Sequence, residues 1–143
     1  MSPMATSIDT NILVYLLNED SALNTRALAA IEKSRRAGSL VVSGPVYAEL
    51  MGLPKRTQAI LDEFFTVGGI EIDWRFDESI WRLAGRGFQG YVRRRLESSG
   101  QLPRRILTDF LIGAHALVRG HTLLTTDSRH YVLAFPTLPV ITA

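Results

Sequence analysis

Cysteine is absent from the sequence. Disulfide bridges and thiolate metal sites are therefore excluded, and packing alone must hold the fold together. Long apolar runs are missing as well. No segment approaches the ~20 consecutive apolar residues that a membrane-crossing helix requires, and the opening MSPMATSIDT carries neither a basic lead nor an apolar stretch. A soluble, cytoplasmic protein is the expectation, starting at Met1 or Met4. Histidine is scarce: His115, His121 and His130 show no H-x-x-x-H spacing. Zinc is thereby disfavoured, and each histidine is expected at the surface or in a supporting place beside a site. Internal repeats and low-complexity tracts are also lacking.

What remains is enough for one domain over residues 1–143, since a chain of this length buries roughly two thirds of its unfolded surface. Charge is spread unevenly. Between positions 82 and 105 seven arginines face Glu97 alone, a net +6 that leaves −4 elsewhere in a chain of formal charge +2. Such asymmetry points to a polyanion-facing surface, although a solvated helix face has the same composition. Arg93, Arg94 and Arg95, with Arg104 and Arg105 beyond them, are the candidate phosphate contacts. Trp74, Trp81, Phe88 and Tyr91 could stack bases, but aromatics at helical spacing more often fill a core or an interface.

Glycine and proline divide the chain into short alternating elements. A strand is expected around Ile8, followed by a helix from Thr10 whose hydroxyl could cap the exposed amides. Leu23, Ala27, Leu28 and Ile31 recur at helical spacing and predict a helix over 22–36, with Gly38 as a left-handed stop. The run SLVVSG, 39–44, predicts a buried strand, and Pro45 opens a helix that reaches Gly52. A helix over 57–65, a turn at Gly68 and Gly69, and a strand in IEIDW follow. Asp77 predicts the cap of a long helix to about Leu96, interrupted at Gly85, Gly87 and Gly90. A helix over 108–119, a stop at Gly120 and a strand over 122–125 complete the pattern. Strands alternating with helices imply a three-layer α/β/α sandwich on a mostly parallel sheet.

Four acids stand at element ends: Asp9 after the first strand, Glu49 in the helix after the second, Asp109 near the start of a helix, and Asp127 after the strand over 122–125. Singly, each has an ordinary explanation as a helix cap or surface charge. In an open parallel sheet, however, those ends converge. Unit charges ~6 Å apart repel by roughly 3 kcal/mol at an effective dielectric of ~20, so four carboxylates must raise some pKa values, hold cations, or both. Oxygen donors alone favour Mg2+ or Mn2+.

With DTN at 9–11, AEL at 48–50, TDFLIGAHA at 108–116, LLTTD at 123–127 and the tail HYVLAFPTLPVI, the sequence resembles a PIN-domain ribonuclease, and more narrowly a VapC-type toxin. The resemblance runs nearly end to end. It implies Asp9, Glu49, Asp109 and Asp127 as catalytic, metal-holding acids, with Asn11 and Thr125 in supporting polar positions. It also implies metal-assisted hydrolysis of RNA to 5′-phosphate and 3′-hydroxyl ends, a VapB-type antitoxin partner, and a homodimer. A PIN-like module that binds RNA or protein without cutting is the alternative; loss of an acid would favour it, and all four are present.

Overall fold

The computed structural model of the chain describes residues 4–100 and 107–143. Five strands form its centre: β1 (Thr6–Ile8), β2 (Leu40–Ser43), β3 (Ile70–Asp73), β4 (Thr122–Thr125) and β5 (Val140–Thr142). Every pairing is parallel, in the order β3-β2-β1-β4-β5. The chain steps one way from β1 to β3 and the other way from β3 to β5. Right-handed crossovers therefore put α1 (Thr10–Leu17), α2 (Asn24–Ala37), α3 (Gly44–Leu50) and α4 (Gln58–Gly68) over one face. They put α5 (Glu78–Ser99), α6 (Leu107–Arg119) and α7 (Arg129–Ala134) over the other. The predicted sandwich is present, with a sheet that is wholly parallel.

The central strands are buried on both faces; β2 and β4 read as short apolar runs for that reason, whereas β1 buries two small polar residues, Thr6 and Ser7. Ile8, Val42 and Leu124 are fully enclosed, and Ile12, Leu13, Leu61 and Phe65 from the first helical layer, Ile80, Phe110 and Ile112 from the second, and Phe135 just after α7 are buried in the same core. Among the described residues, no helix is long and apolar enough to cross a membrane.

Local chemistry differs from expectation in three places. Gly38 is extended, at φ 167°, and not left-handed; Gly69, Gly100 and Gly120 take that role instead. The glycines of α5 do not interrupt it, and the helix runs unbroken for 22 residues. Gly87 serves close packing, because a Cβ there would meet Phe110 and Phe135 at 3.1 and 3.2 Å. The apolar face buried by α5 outweighs the backbone entropy those glycines cost. Finally, α7 and β5 lie in the tail, where no strand is expected; three residues after Pro139, none of them buried, are too little pattern for one.

Candidate active site

The sheet order reverses between β1 and β4, and connections leaving those two strands in opposite directions open a crevice at their carboxyl ends. Asp9 stands on one side of it and Thr125 on the other. Asp9 takes an extended backbone conformation and caps α1 with its own side chain, Oδ1 accepting from the Thr10 amide at 2.8 Å. The predicted cap, the Thr10 hydroxyl, does something else: it donates to Glu49 Oε1 at 2.5 Å and so joins α1 to α3. Asp9 is only 7% exposed, and both of its carboxylate oxygens accept hydrogen bonds. Its Oδ2 accepts from the Thr125 hydroxyl at 2.7 Å and from the Tyr131 hydroxyl at 3.0 Å. Burial pushes its pKa upward, the bonds from Thr125, Thr10 and Tyr131 oppose this, and the charge of Asp127 adds to the rise.

Asp109 lies half-buried in the first turn of α6. Burial, and then the charges of Asp9, Glu49 and Asp127, push its pKa to about 7. All four acids therefore share one electrostatic neighbourhood, although they come from four separate elements. Asp127 experiences the opposite balance. Arg129 donates to its carboxylate through Nη2 at 2.7 Å and Nε at 2.9 Å, holding the pKa down at about 2. The Asp127 amide is itself tied to Thr125 Oγ1 at 3.2 Å, so β4 positions both residues.

Each acid except Asp109 thus spends oxygens on a neighbouring donor: Glu49 on Thr10, Asp127 on Arg129, Asp9 on Thr10, Thr125 and Tyr131. In these positions no three of the described Asp, Glu, His or Cys side chains are grouped tightly enough to enclose a metal ion. The donor set is nevertheless all oxygen and, at Asp109, short of positive charge. Both properties suit a hard divalent cation once Glu49 and Asp127 turn from their present partners.

The remaining predicted residues divide. Thr125 sits on the Asp9 carboxylate, and Asn11 is exposed on the first turn of α1. Arg93 and Arg94 are exposed on α5, Arg95 is half-buried there, and Arg104 and Arg105 lie outside the described residues. Trp74 and Trp81 are exposed, whereas Phe88 and Tyr91 pack around Phe110. His115 is neither on the surface nor beside the acids. It is fully buried, with Nε2 3.1 Å from Asp73 Oδ2.

Tyr131 and Arg129 escaped sequence reasoning. Arg129 had a local signal, a cation two residues after an acid. Tyr131 had none, because its partner is 122 residues away.

Residues 7–136 match the family model described as PIN domain. Among solved structures, the chain is similar to one in VapBC2 from Rickettsia felis bound to a DNA fragment from their promoter. The identity is 25% over 97% of this chain and 98% of that one, with a TM-score of 0.65. It shares a fold with a chain of VapBC-1 from nontypeable Haemophilus influenzae, at 21% identity, 97% and 98% coverage and a TM-score of 0.62. A toxin-antitoxin complex from Klebsiella pneumoniae gives 23% identity, 96% coverage of each chain and a TM-score of 0.55. No curated protein matches.

Proposed function

The chain belongs to the PIN domain family, and from that premise we propose that it is a cytoplasmic, single-domain endoribonuclease that needs Mg2+ or Mn2+ and acts as the toxin of a toxin-antitoxin pair. The observation that carries this reading is the Asp109 carboxyl, pushed to about 7 by burial and by Asp9, Glu49 and Asp127. A fold that gathers acids from four segments at the switch point of its sheet, and leaves Asp109 without a counter-charge, bears a cost that a bound cation would offset.

Asp9, Glu49, Asp109 and Asp127 would hold the ion, which when bound supplies a water of lowered pKa and neutralises charge at phosphorus. Thr125 fixes the Asp9 carboxylate, and Asn11, two residues after Asp9, would orient carboxylates or water. Arg93, Arg94 and Arg95, with Arg104 and Arg105, would bind backbone phosphates of the RNA. The toxin role draws support from the VapBC and toxin-antitoxin structures that share this fold. A VapB-type antitoxin is the corresponding partner, and a homodimer the assembly the resemblance implies.

One observation favours the alternative, an RNA- or protein-binding module: three of the acids are engaged by neighbouring donors as placed. Cleavage decides between the two. Purified protein is expected to cut RNA with Mg2+ or Mn2+, to stop with EDTA, and to lose on the order of 100-fold or more in rate as Asp9→Asn or Asp109→Asn. Equal rates in those variants would move the chemistry elsewhere; RNA binding without cleavage would favour the module. Induced expression should arrest growth; a small open reading frame is expected immediately upstream of the gene, and its co-expression should relieve the arrest.

A further inference from the structure

Tyr131 sits on α7, 2% exposed, and nothing in the four-acid scheme asks for it. Its ring is fixed by packing over Gly113 of α6, where an added Cβ would lie 3.0 Å from Tyr131 Cδ1. Its hydroxyl consequently has little freedom, and it points at Asp9, donating to Oδ2 at 3.0 Å. Thr125 Oγ1 donates to the same atom at 2.7 Å.

A carboxylate oxygen offers two lone pairs, and a phenol is a neutral donor below about pH 10. Both lone pairs of Oδ2 are then taken. Oδ1 accepts one bond, from the Thr10 amide at 2.8 Å, and keeps one lone pair among the described residues. Three donors from three elements, β4, α1 and α7, meet on one side chain. Because two of them hold the same oxygen, rotation about the carboxyl axis is blocked.

We propose that Tyr131 is the positioning residue of Asp9: with Thr125 it claims both lone pairs of Oδ2, locks the rotation of the carboxylate, and leaves Oδ1 as the single atom that Asp9 offers to a divalent cation. The proposal rests on the assignment of the acidic cluster as a cation site. Outer hydrogen bonds of this kind typically set metal affinity by about 10- to 100-fold.

Tyr131→Phe keeps the ring over Gly113 and removes only the hydroxyl, so the fold should be retained, as circular dichroism would show. Mn2+ binding is measured by calorimetry without RNA, for the wild type, Tyr131→Phe, Asp9→Asn and the double variant. Tyr131→Phe is expected to weaken Mn2+ by about 10-fold in the wild-type background and to change nothing further in the Asp9→Asn background. A residue with a merely structural role would lower thermal stability and leave Mn2+ affinity unmoved. Unchanged affinity in Tyr131→Phe overturns the proposal while leaving the cation site standing, and so does an equal loss in both backgrounds. A wild-type chain that binds no Mn2+ overturns the cation site and this proposal together.

Discussion

Arg129 grips Asp127 in a two-pronged ion pair, Nη2 2.7 Å from Oδ2 and Nε 2.9 Å from Oδ1. The same carboxylate belongs to the acidic cluster, so guanidinium and the proposed cation would compete for it. The arginine side chain is 82% exposed, so water screens the pair and its hold on Asp127 is weak. Arg129→Ala should therefore tighten Mn2+ binding by only about 2- to 5-fold. Calorimetric titration of the two proteins checks this. Weaker cleavage with Mn2+ affinity unchanged would instead assign Arg129 to the RNA phosphate.

The Asp109 carboxyl provides a second test, of stability. Its folded pKa is raised from 3.8 to about 7, so the folded state holds this proton more tightly than the unfolded chain does. Stability from this group is fully present below pH 3.8 and is lost as pH rises through about 7. The full displacement corresponds to about 4 kcal/mol, and partial solvent access halves it to about 2 kcal/mol. In EDTA, Asp109→Asn should match the wild type near pH 4 and exceed it by about 2 kcal/mol above pH 7, in urea unfolding. A constant difference across that range would show that Asp109 lacks the acidic neighbours described above.

Much of the scaffold was legible because its signals are local. The strands at 40–43 and 122–125 are short β-branched or aliphatic runs closed by Gly44 or opened after Gly120, and both emerge within one residue of expectation. Asp77 and Thr57 cap helices through their own side chains, a bond of three residues' span. The misreadings arise where tertiary context decides. Gly85, Gly87 and Gly90 signal a break in isolation, but Gly87 is the space into which Phe110 and Phe135 fit. His115 is expected at the surface or beside a site, but its partner Asp73, which holds it in the interior, is 42 residues away on another element. Within the site, the positions of the acids follow from strand ends, whereas the hydrogen bonds from Tyr131, Thr125 and Thr10 follow from side-chain geometry, on which periodicity is silent.

Arg93 and Arg94 are exposed along α5, the segment richest in positive charge. Each phosphate contact to single-stranded nucleic acid contributes about 0.7 to the slope of log affinity against log salt. Arg93→Gln with Arg94→Gln should thus lower that slope by about 1.4 for binding of single-stranded RNA to the Asp9→Asn protein. Fluorescence anisotropy at several salt concentrations reads it. An unchanged slope would return both arginines to the role of a solvated helix face.

The buried pair of His115 and Asp73 offers a test far from the acids. His115 is fully enclosed, stacked on Phe76 at 5.3 Å and edge-on to His121 at 5.8 Å. Burial, with the charges of Arg119 and Arg75 nearby, lowers its pKa below the ordinary 6.5 even though Asp73 pulls the other way. Hydrogen bonds from Arg75 and His115 overcome the effect of burial on Asp73 and hold it well below the carboxylate range. Asp73 is therefore ionised, the proton of His115 sits on Nε2, and Nδ1 has no partner among the described residues. The unfolded chain gains a proton here as pH falls below about 6.5 while the folded state resists it, so stability declines with falling pH. His121 is shifted the same way. Asp109 has the opposite slope in an overlapping range, so the measurement belongs in Asp109→Asn. There, urea unfolding should show stability falling from pH 7 to pH 5, and adding His115→Leu should flatten part of that fall. The leucine variant also leaves Asp73 one donor short, a cost of about 1 to 3 kcal/mol that persists at pH 7. A fall of the same steepness with leucine in place would assign the pH sensitivity to His121 instead.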